Sequence, residues 1–474
     1  MTQKLKKIII ISTLILVFVT VLPSCEELLG KGAYGGTGSK KASQGLDYEK
    51  LEDGSYAVSG IGSCKDSHIV IPKTIYGNDV TAITDEAFKQ SAFIKSVTIP
   101  GTVKSIGKWA FMSSNKLEKV VIEDGVEHIG ERAFENCKFL KSITVPASVG
   151  EVVNGLCGDC PNLESVTLAE GIKYIGSSAF YGSRALKSID IPSTVETIGW
   201  GAFMHCTGLV DITIPEGVKT LEMHILDGCT SLKSITVPAN VESIKYMAFA
   251  RCTMLEEVIF NASEVADLDY SENVFASSGL EGAGITFKVG AGVKRIPANL
   301  FYSHPDSDSS VPKEAAKLVR VEFEEGSACS EIGEYAFNGC KELVSITLPS
   351  GVTRIGDSAF KECATLGELY LPSTVTEIDN NAFYGCSSLR ELALPSDLSS
   401  IGDWAFYECN QISKVKMENG IVSLGERAFM NCKALVDITF EGTRGEWDMI
   451  EKRDYWSAGT GDYTIHCTDG DIEK

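Results

Sequence analysis

Apolar residues recur along this chain in a frame that repeats every 23 residues, and residues 126–146 show it in full as V-x-x-I-G-x-x-A-F-x-x-C-x-x-L-x-x-I-x-V-P. The Leu-x-x-Ile-x-Val part places apolar side chains at alternate positions, which is typical of a short strand with one buried face. The proline that follows has no N–H group and ends the strand. The frame therefore predicts one strand in every repeat.

An Ala-Phe pair is the most constant part of the frame. It occurs at Ala87-Phe88, Ala110-Phe111, Ala133-Phe134, Ala179-Phe180, Ala202-Phe203, Ala248-Phe249, Ala336-Phe337, Ala359-Phe360, Ala382-Phe383, Ala405-Phe406 and Ala428-Phe429. Where the pair is missing, Cys157, Leu226 and Phe275 or Phe301 lie near the expected Phe position. A strict repeat of this length predicts a solenoid. Because stacked repeats present a long surface and not a pocket, it favours a binding protein over an enzyme.

The rest of the frame predicts what lies between the strands. A second, shorter strand is expected to end before a glycine such as Gly130, which would adopt a positive φ in a turn. Residues 131–137 are expected to form one helical turn that points Phe134 inward. One repeat of 23 residues cannot bury enough apolar surface to fold alone. We therefore expect the repeats to stack and both ends to carry caps.

The Ala-Phe, Cys, Leu-x-x-Ile and Pro positions together resemble the leucine-rich repeats of the BspA-like bacterial surface-antigen family, over roughly residues 45–467. Tyr48 to Pro72 looks like the family's N-terminal lead-in, and Trp447 and Trp456 lie in what looks like its closing segment. The resemblance implies a leucine-rich repeat solenoid, a β-rich α/β fold with parallel strands on one face and short helical or 3-10 turns and second short strands elsewhere. It also implies a cell-surface or secreted interaction protein, often an adhesin, and it carries over no catalytic residues.

Breaks in the frame divide the chain into segments. The Phe spacing lengthens to 26 residues from Phe249 to Phe275 and from Phe275 to Phe301, and then to 36 residues up to Phe337. A polar stretch at residues 303–310 is expected to form a loop there. The sequence leaves open whether the solenoid bends or splits. The predicted segments are a lipoprotein signal peptide (1–24), a lipidated Cys and flexible tether (25–45), an N-terminal cap (46–80), a first solenoid block (81–260), irregular repeats with an insertion (261–330), a second solenoid block (331–440) and a C-terminal cap (441–474).

The first residues have the features of an exported protein. Three lysines precede an apolar run at residues 8–22, which fits a signal peptide and is short for a membrane span. The run ends in Leu22-Pro23-Ser24-Cys25, which resembles a bacterial lipobox, so Cys25 is predicted to be lipidated. The alternative is a plain secretory signal with an incidental cysteine. A stretch rich in Gly, Ser and Lys then fits the flexible tether. The predicted location is the bacterial cell envelope, lipid-anchored and surface-exposed on the outer membrane.

The chain is strongly acidic. Its formal charge is −21 at pH 7, and removal of residues 1–24 would take away three lysines and no acid, which gives −24. An acidic surface argues against nucleic acid and against anionic lipid headgroups as partners.

Ten of the fifteen cysteines occupy one position of the frame, three residues after the Phe position. They are Cys137, Cys160, Cys206, Cys229, Cys252, Cys340, Cys363, Cys386, Cys409 and Cys432. We expect a column of small, buried apolar residues, because free cysteine packs as a small hydrophobe. A disulfide ladder is the alternative that an oxidising compartment leaves open.

No pattern in the sequence predicts a metal site, a cofactor or a catalytic centre. The six histidines are scattered, without a His-Glu-x-x-His motif. Residues 306–310 resemble the start of a calcium loop, but Val311 and Lys317 stand where such a loop has Gly and Glu. We therefore expect no metal, no cofactor and no enzymatic activity.

The outward positions of the predicted strands provide the candidate binding face. In the N-terminal half they are mostly Ser and Thr, which stabilise strand surfaces without any ligand. In the C-terminal half they are charged and varied. The candidate binding face consists of Arg320, Glu368, Tyr370, Glu391 and Lys414.

The favoured function is adhesin-like binding of a host or neighbouring-cell protein, with membrane attachment through the lipid on Cys25. An envelope scaffold lipoprotein is the second hypothesis. A carbohydrate-binding module ranks last, because the outward strand columns offer only one aromatic residue, Tyr370.

Overall fold

A computed structural model describes residues 41–303 and 314–474. The predicted signal peptide, Cys25 and nearly all of the predicted tether lie outside the described residues, as do residues 304–310 of the predicted loop. Residues 42–474 form one compact unit, whose described part consists of short strands and turns with very little helix.

The coils contribute strands to two rows. Numbered in chain order, the strands of the main row are β3 (His68–Val70), β6 (Ser96–Ile99), β8 (Lys119–Ile122), β10 (Ser142–Val145), β12 (Ser165–Leu168), β14 (Ser188–Ile189), β16 (Asp211–Ile212), β18 (Ser234–Val237), β20 (Glu257–Phe260), β21 (Ile285–Val289), β23 (Leu318–Phe323), β25 (Ser345–Thr347), β27 (Glu368–Tyr370), β29 (Glu391–Ala393), β31 (Lys414–Met417), β33 (Asp437–Phe440) and β35 (Thr464–Cys467). The strands of the second row are β2 (Tyr56–Gly60), β5 (Asn78–Ile83), β7 (Ser105–Ile106), β9 (His128–Ile129), β11 (Glu151–Val152), β13 (Tyr174–Ile175), β15 (Thr197–Ile198), β17 (Thr220–Leu221), β19 (Ser243–Ile244), β22 (Arg295–Ile296), β24 (Glu331–Ile332), β26 (Arg354–Ile355), β28 (Glu377–Ile378), β30 (Ser400–Ile401), β32 (Ser423–Leu424) and β34 (Glu451–Lys452). The outward side of the main row is called the strand face below.

Neighbouring coils pair in parallel and in register. Ser142 pairs with Ser165 and Thr144 pairs with Thr167, each one repeat apart. Ile143 and Val145, which alternate with them, are buried. The fold class predicted from the sequence, a leucine-rich repeat solenoid with parallel strands, is therefore confirmed.

The segment that carries each Phe is a non-helical turn, whereas we expected a helical turn. In residues 131–137, Arg132 and Asn136 adopt left-handed conformations with φ of 55° and 58°. The side chain of Phe134 between them is buried, as expected. Two left-handed residues redirect the backbone in turns such as this one, so that alternate N–H groups point along the solenoid axis.

These turns are held together by hydrogen bonds between coils. Three N–H groups of one coil donate to carbonyl oxygens of the next coil: Trp109 to Glu131 (3.1 Å), Phe111 to Ala133 (2.8 Å) and Ser113 to Glu135 (2.8 Å). A helical turn would use its N–H groups within the coil and leave its neighbour unpaired. Stacking therefore determines the local conformation.

The glycines that follow the second-row strands do not adopt the positive φ that we expected. They are needed because neighbouring coils approach closely. A Cβ atom at Gly130 would lie 2.4 Å from the backbone nitrogen of Lys108, and one at Gly425 would lie 2.4 Å from the carbonyl carbon of Gly402. A side chain at either of these two glycines would require the neighbouring backbone to shift.

The Phe rings form a column through the core. Phe360 stacks between Phe337 (5.3 Å between ring centroids) and Phe383 (5.2 Å). The column continues through the irregular repeats, where Phe275 stacks on Phe301 at 4.8 Å. The main-row strands β20, β21 and β23 also pair continuously across this region.

The cysteine column is buried in the core, as expected, and its cysteines have essentially no exposed surface. Every cysteine of the described residues is a free thiol, so this part of the chain contains no disulfide ladder. Burial raises the pKa of Cys206 and of Cys432 to about 12.

Both ends of the described solenoid are covered. At the N-terminal end, β1 (Asp47–Lys50) pairs antiparallel with β2, and β4 (Thr74–Ile75) pairs antiparallel with β5. A 3-10 turn occurs at Ala147–Val149, within the repeats. At the C-terminal end, β36 (Gly470–Glu473) pairs antiparallel with β35, and the helix α1 (Arg444–Met449) begins with a capping box between Thr443 and Glu446. Within residues 41–303 and 314–474, no helix has the length and apolar character needed to cross a bilayer.

Candidate functional site

Two open grooves lie on the strand face between β23 and β33. The first groove, of about 740 Å³, is formed by β23 and β25 and by residues 324–327 and 348–350. The second groove, of about 600 Å³, lies over β27, β29, β31 and β33. Both lie where the main row is interrupted, because β23 does not pair with β25 and β27 does not pair with β29 among the described strands.

The second groove brings together four of the five residues of the predicted binding face. Glu368, Tyr370, Glu391 and Lys414 line it, and all four are exposed. The strand residues that alternate with them are buried, so the alternation of the strands fixes their outward direction.

A small residue gives the second groove its depth. Ala393 occupies the outward strand position between Tyr370 of the preceding coil and Lys416 of the next coil, and all three line the groove. The methyl group of Ala393 leaves a space that the longer side chains enclose. The ring of Tyr370 is 59% exposed and forms one wall of this space.

Three of the charged side chains that line the second groove are unpaired within the described chain. Glu391 and Lys414 are register partners, yet within the described chain neither forms a salt bridge, and Glu368 does not form one either. On other faces of the solenoid, charges of adjacent coils pair along the axis, as in Lys104–Glu127 (2.9 Å), Lys173–Glu196 (3.0 Å) and Lys219–Glu242 (2.7 Å). The unpaired charges of the second groove are therefore free to pair with a ligand.

Arg320, the fifth predicted residue, lies apart from the other four in the first groove. Its Nη1 atom is 3.5 Å from Oε1 of Glu322. Glu324 and Glu325 line the same groove and are exposed. The first groove is therefore mainly acidic, and its one arginine already has a partner within the chain.

Arg390, Lys416 and Asp437 also line the second groove and were not among the predicted residues. Hydrogen bonds from Lys416 to Glu418 (3.1 Å) and to Glu441 (3.2 Å) raise the pKa of Lys416. The alternation of the strands predicts that Lys416 and Asp437 face outward, although neither was included in the candidate binding face. Arg390 precedes its strand, where no periodic signal applies.

The described residues contain no group of three or more His, Cys, Asp or Glu side chains placed to hold a metal ion. The second groove offers carboxylates, cations and one aromatic ring, which suit a binding surface.

The sequence model described as "BspA type Leucine rich repeat region (6 copies)" matches residues 62–187, 173–306 and 314–445. Among solved structures, the chain is similar to a leucine-rich repeat protein from Bacteroides ovatus, with 24% identity, a TM-score of 0.59 and coverage of 90% of this chain and 100% of that chain. It is also similar to a leucine rich cell surface protein from Faecalibacterium prausnitzii, with 24% identity, a TM-score of 0.36 and coverage of 87% of this chain and 98% of that chain. A comparison with curated proteins gave no match. The likeness to the Bacteroides ovatus structure supports the solenoid fold.

Proposed function

Because this chain belongs to the BspA-type leucine-rich repeat family, we propose that it is a non-catalytic cell-surface protein that binds a protein of a host or neighbouring cell in an adhesin-like way. It makes this contact with the second groove and the strand face around it. A long, preformed surface of stacked coils suits a protein partner better than a small substrate.

The unpaired charges of the second groove are the observation that carries this proposal. A partner with complementary charges would pair with Glu368, Glu391 and Lys414, which gives specificity and speeds association. The exposed ring of Tyr370 beside the space over Ala393 supplies an anchor of the kind that dominates binding energy at protein interfaces.

The proposal includes attachment to the outer membrane through a lipid on Cys25, with the repeats facing outward. The apolar run at residues 8–22 and the lipobox-like Leu22-Pro23-Ser24-Cys25 support it. The formal charge of −21 argues against nucleic acid as the partner.

Protease treatment of intact cells, followed by a blot for the C-terminal region, tests the location. We expect the signal to be lost on intact cells. Protection until the envelope is ruptured would contradict the adhesin-like function and would favour an envelope scaffold.

Binding of the full-length protein to a panel of purified extracellular-matrix proteins and to host cells tests the function. Tyr370→Ala and Lys414→Glu should each weaken binding by about tenfold or more, because they remove the anchor and reverse a groove charge. Thr144→Ala changes the same strand column in the N-terminal half and serves as the matched control. No binding by the unaltered protein, or equal weakening by all three substitutions, would contradict the proposal.

A further inference from the structure

A third groove lies on the turn face, which is the outward side of the turns that carry the Phe column. It has a volume of about 550 Å³ and is formed by residues 131–135, 154–159, 177–181 and 200–204 of four successive coils. Three coil steps of ~4.8 Å give it a length of roughly 14 Å. It is called the trough below, and it shares no residue with the grooves of the strand face.

Small residues in equivalent positions of successive turns create the trough. One residue in each turn directly precedes the Ala of the Ala-Phe pair, or the residue that replaces this Ala. In three consecutive coils this residue is Gly155, Ser178 and Gly201, whereas Trp109, Arg132 and Trp404 occupy the position elsewhere. Gly158 stands where other turns have residues such as Glu135, Tyr181 and Met204. The backbone of the second of these four turns, at 155–158, is therefore the floor of the trough.

Aromatic and apolar side chains form its C-terminal wall. Trp200 is 40% exposed, and Tyr181 and Met204 line the same side. Edge-to-face contacts hold both rings: Trp200 packs against His224 (5.9 Å) and Tyr181 against His205 (5.8 Å). A ring that is already held in place loses little freedom when it binds a ligand.

Polar side chains form the opposite wall. Glu131, Arg132, Glu135 and Asp159 line it and supply both donors and acceptors of hydrogen bonds. The Oε2 atom of Glu135 is buried and accepts no hydrogen bond among the described residues, and Nη1 of Arg132 lies 4.0 Å away. Burial raises the pKa of Glu135.

We propose that the trough binds a neutral oligosaccharide of about two or three pyranose rings. The rings of Trp200 and Tyr181 stack on the apolar C–H face of a sugar, while the carboxylates and Arg132 bind its hydroxyl groups. The three carboxylates outnumber Arg132, so an acidic sugar is repelled. The same excess of carboxylates attracts a lysine-rich peptide, which is therefore the competing occupant that the test must exclude.

Saturation-transfer NMR on the full-length protein tests this proposal with maltotriose, cellotriose, xylotriose, mannotriose and chitotriose as neutral probes. Trigalacturonate and trilysine are the charged probes. We expect at least one neutral trisaccharide to bind with a Kd below about 5 mM, and both charged probes to bind more weakly.

Two substitutions locate the site. Trp200→Ala removes the exposed ring, and Gly158→Met fills the trough with a side chain that equivalent turns carry at Met112, Met204 and Met430. Each should weaken trisaccharide binding by about tenfold or more. Asn338→Met places the same side chain in the same position of a distant turn and should leave binding unchanged.

Three results would overturn the proposal. The first is that no neutral trisaccharide binds, and the second is that trilysine binds more tightly than all of them. The third is that both Trp200→Ala and Gly158→Met still bind the trisaccharide as tightly as the unaltered protein. Since Tyr370→Ala lies on the strand face, it should not change sugar binding, which keeps this test separate from that of the protein partner.

Discussion

The thiol of Cys137 donates a hydrogen bond to the backbone carbonyl oxygen of Phe111 in the preceding coil, at 3.2 Å. Other thiols of the column make the same bond to the carbonyl 26 residues earlier, at 3.1–3.3 Å. Where serine replaces cysteine, as at Ser114, its hydroxyl donates to the carbonyl of Phe88 at 2.7 Å. The column therefore requires a small hydrogen-bond donor as well as a small volume.

Substitution at Cys363 separates these two requirements. Cys363→Ala should lower the free energy of unfolding by about 1–3 kcal/mol, because it leaves a small cavity and removes the donor to Phe337. Cys363→Ser keeps the donor and should cost less. Urea unfolding measures both, and equal losses would show that the hydrogen bond contributes nothing.

Loss of one ring from the Phe column should be severe. Phe360→Ala removes a fully buried ring and should cost about 3–5 kcal/mol. Hydrogen exchange should show faster opening of the coils on both sides, because they share its stacking and hydrogen bonds. Phe139→Ala, at a ring that is 46% exposed, is the control and should change the free energy of unfolding by less than about 0.5 kcal/mol. Unchanged melting of Phe360→Ala would contradict the core position of this ring.

The close approach at Gly425 predicts that no side chain is tolerated there. Gly425→Ala should cost about 1–3 kcal/mol or more, because its Cβ would overlap the backbone of Gly402. Gly425→Asn should be no better, although asparagine accepts left-handed conformations at positions such as Asn136. If Gly425→Asn instead restored thermal stability relative to Gly425→Ala, glycine would be needed there for a left-handed backbone conformation and not for the close approach of the coils. Gly292→Ala, where a Cβ would meet nothing within 4 Å, is the matched control.

The C-terminal hairpin should respond to pH through His466. A hydrogen bond to Asp471 (2.9 Å) raises the pKa of His466. The raised pKa means that the protonated form is favoured in the folded state. The stabilisation is therefore fully present below the unfolded pKa of about 6.5 and is lost as pH rises through the folded pKa.

An NMR titration of the His466 ring in the unaltered protein and in Asp471→Asn measures this effect. The substitution should lower the pKa of His466, and the protection factors of the amides in β36 should fall at high pH in the unaltered protein. The same pKa in both proteins would rule out Asp471 as the cause.

The fold could be predicted from the sequence because its main determinants lie within one repeat. The alternation in residues such as Ile143 and Val145 defines a strand, and the recurrence of the frame places each strand beside the next. The conformation of the turns could not be predicted in the same way. The hydrogen-bond partner of Phe111 is Ala133, 22 residues away, so the local sequence alone suggested a helical turn.

The candidate site could be predicted only in part. Alternation places Glu368, Tyr370, Glu391 and Lys414 outward, and the structure brings these four together. Arg320 satisfies the same pattern but lies in another groove, because the lengthened repeats and the interrupted row separate it from them. The trough exists because Gly155 and Gly158 have no side chains, and small residues give no periodic signal in the sequence.

The hydrogen bonds between turns have a consequence for the electric field of the molecule. In residues 109–135 three N–H groups of one coil point towards the C-terminal end of the solenoid and the accepting carbonyl groups point towards the N-terminal end, and the same direction recurs up to Phe429 and Trp456. Aligned peptide dipoles add, whereas those of the strands largely cancel. The turn face therefore carries a permanent dipole whose negative pole is at the N-terminal end, opposite in sense to that of an α-helix.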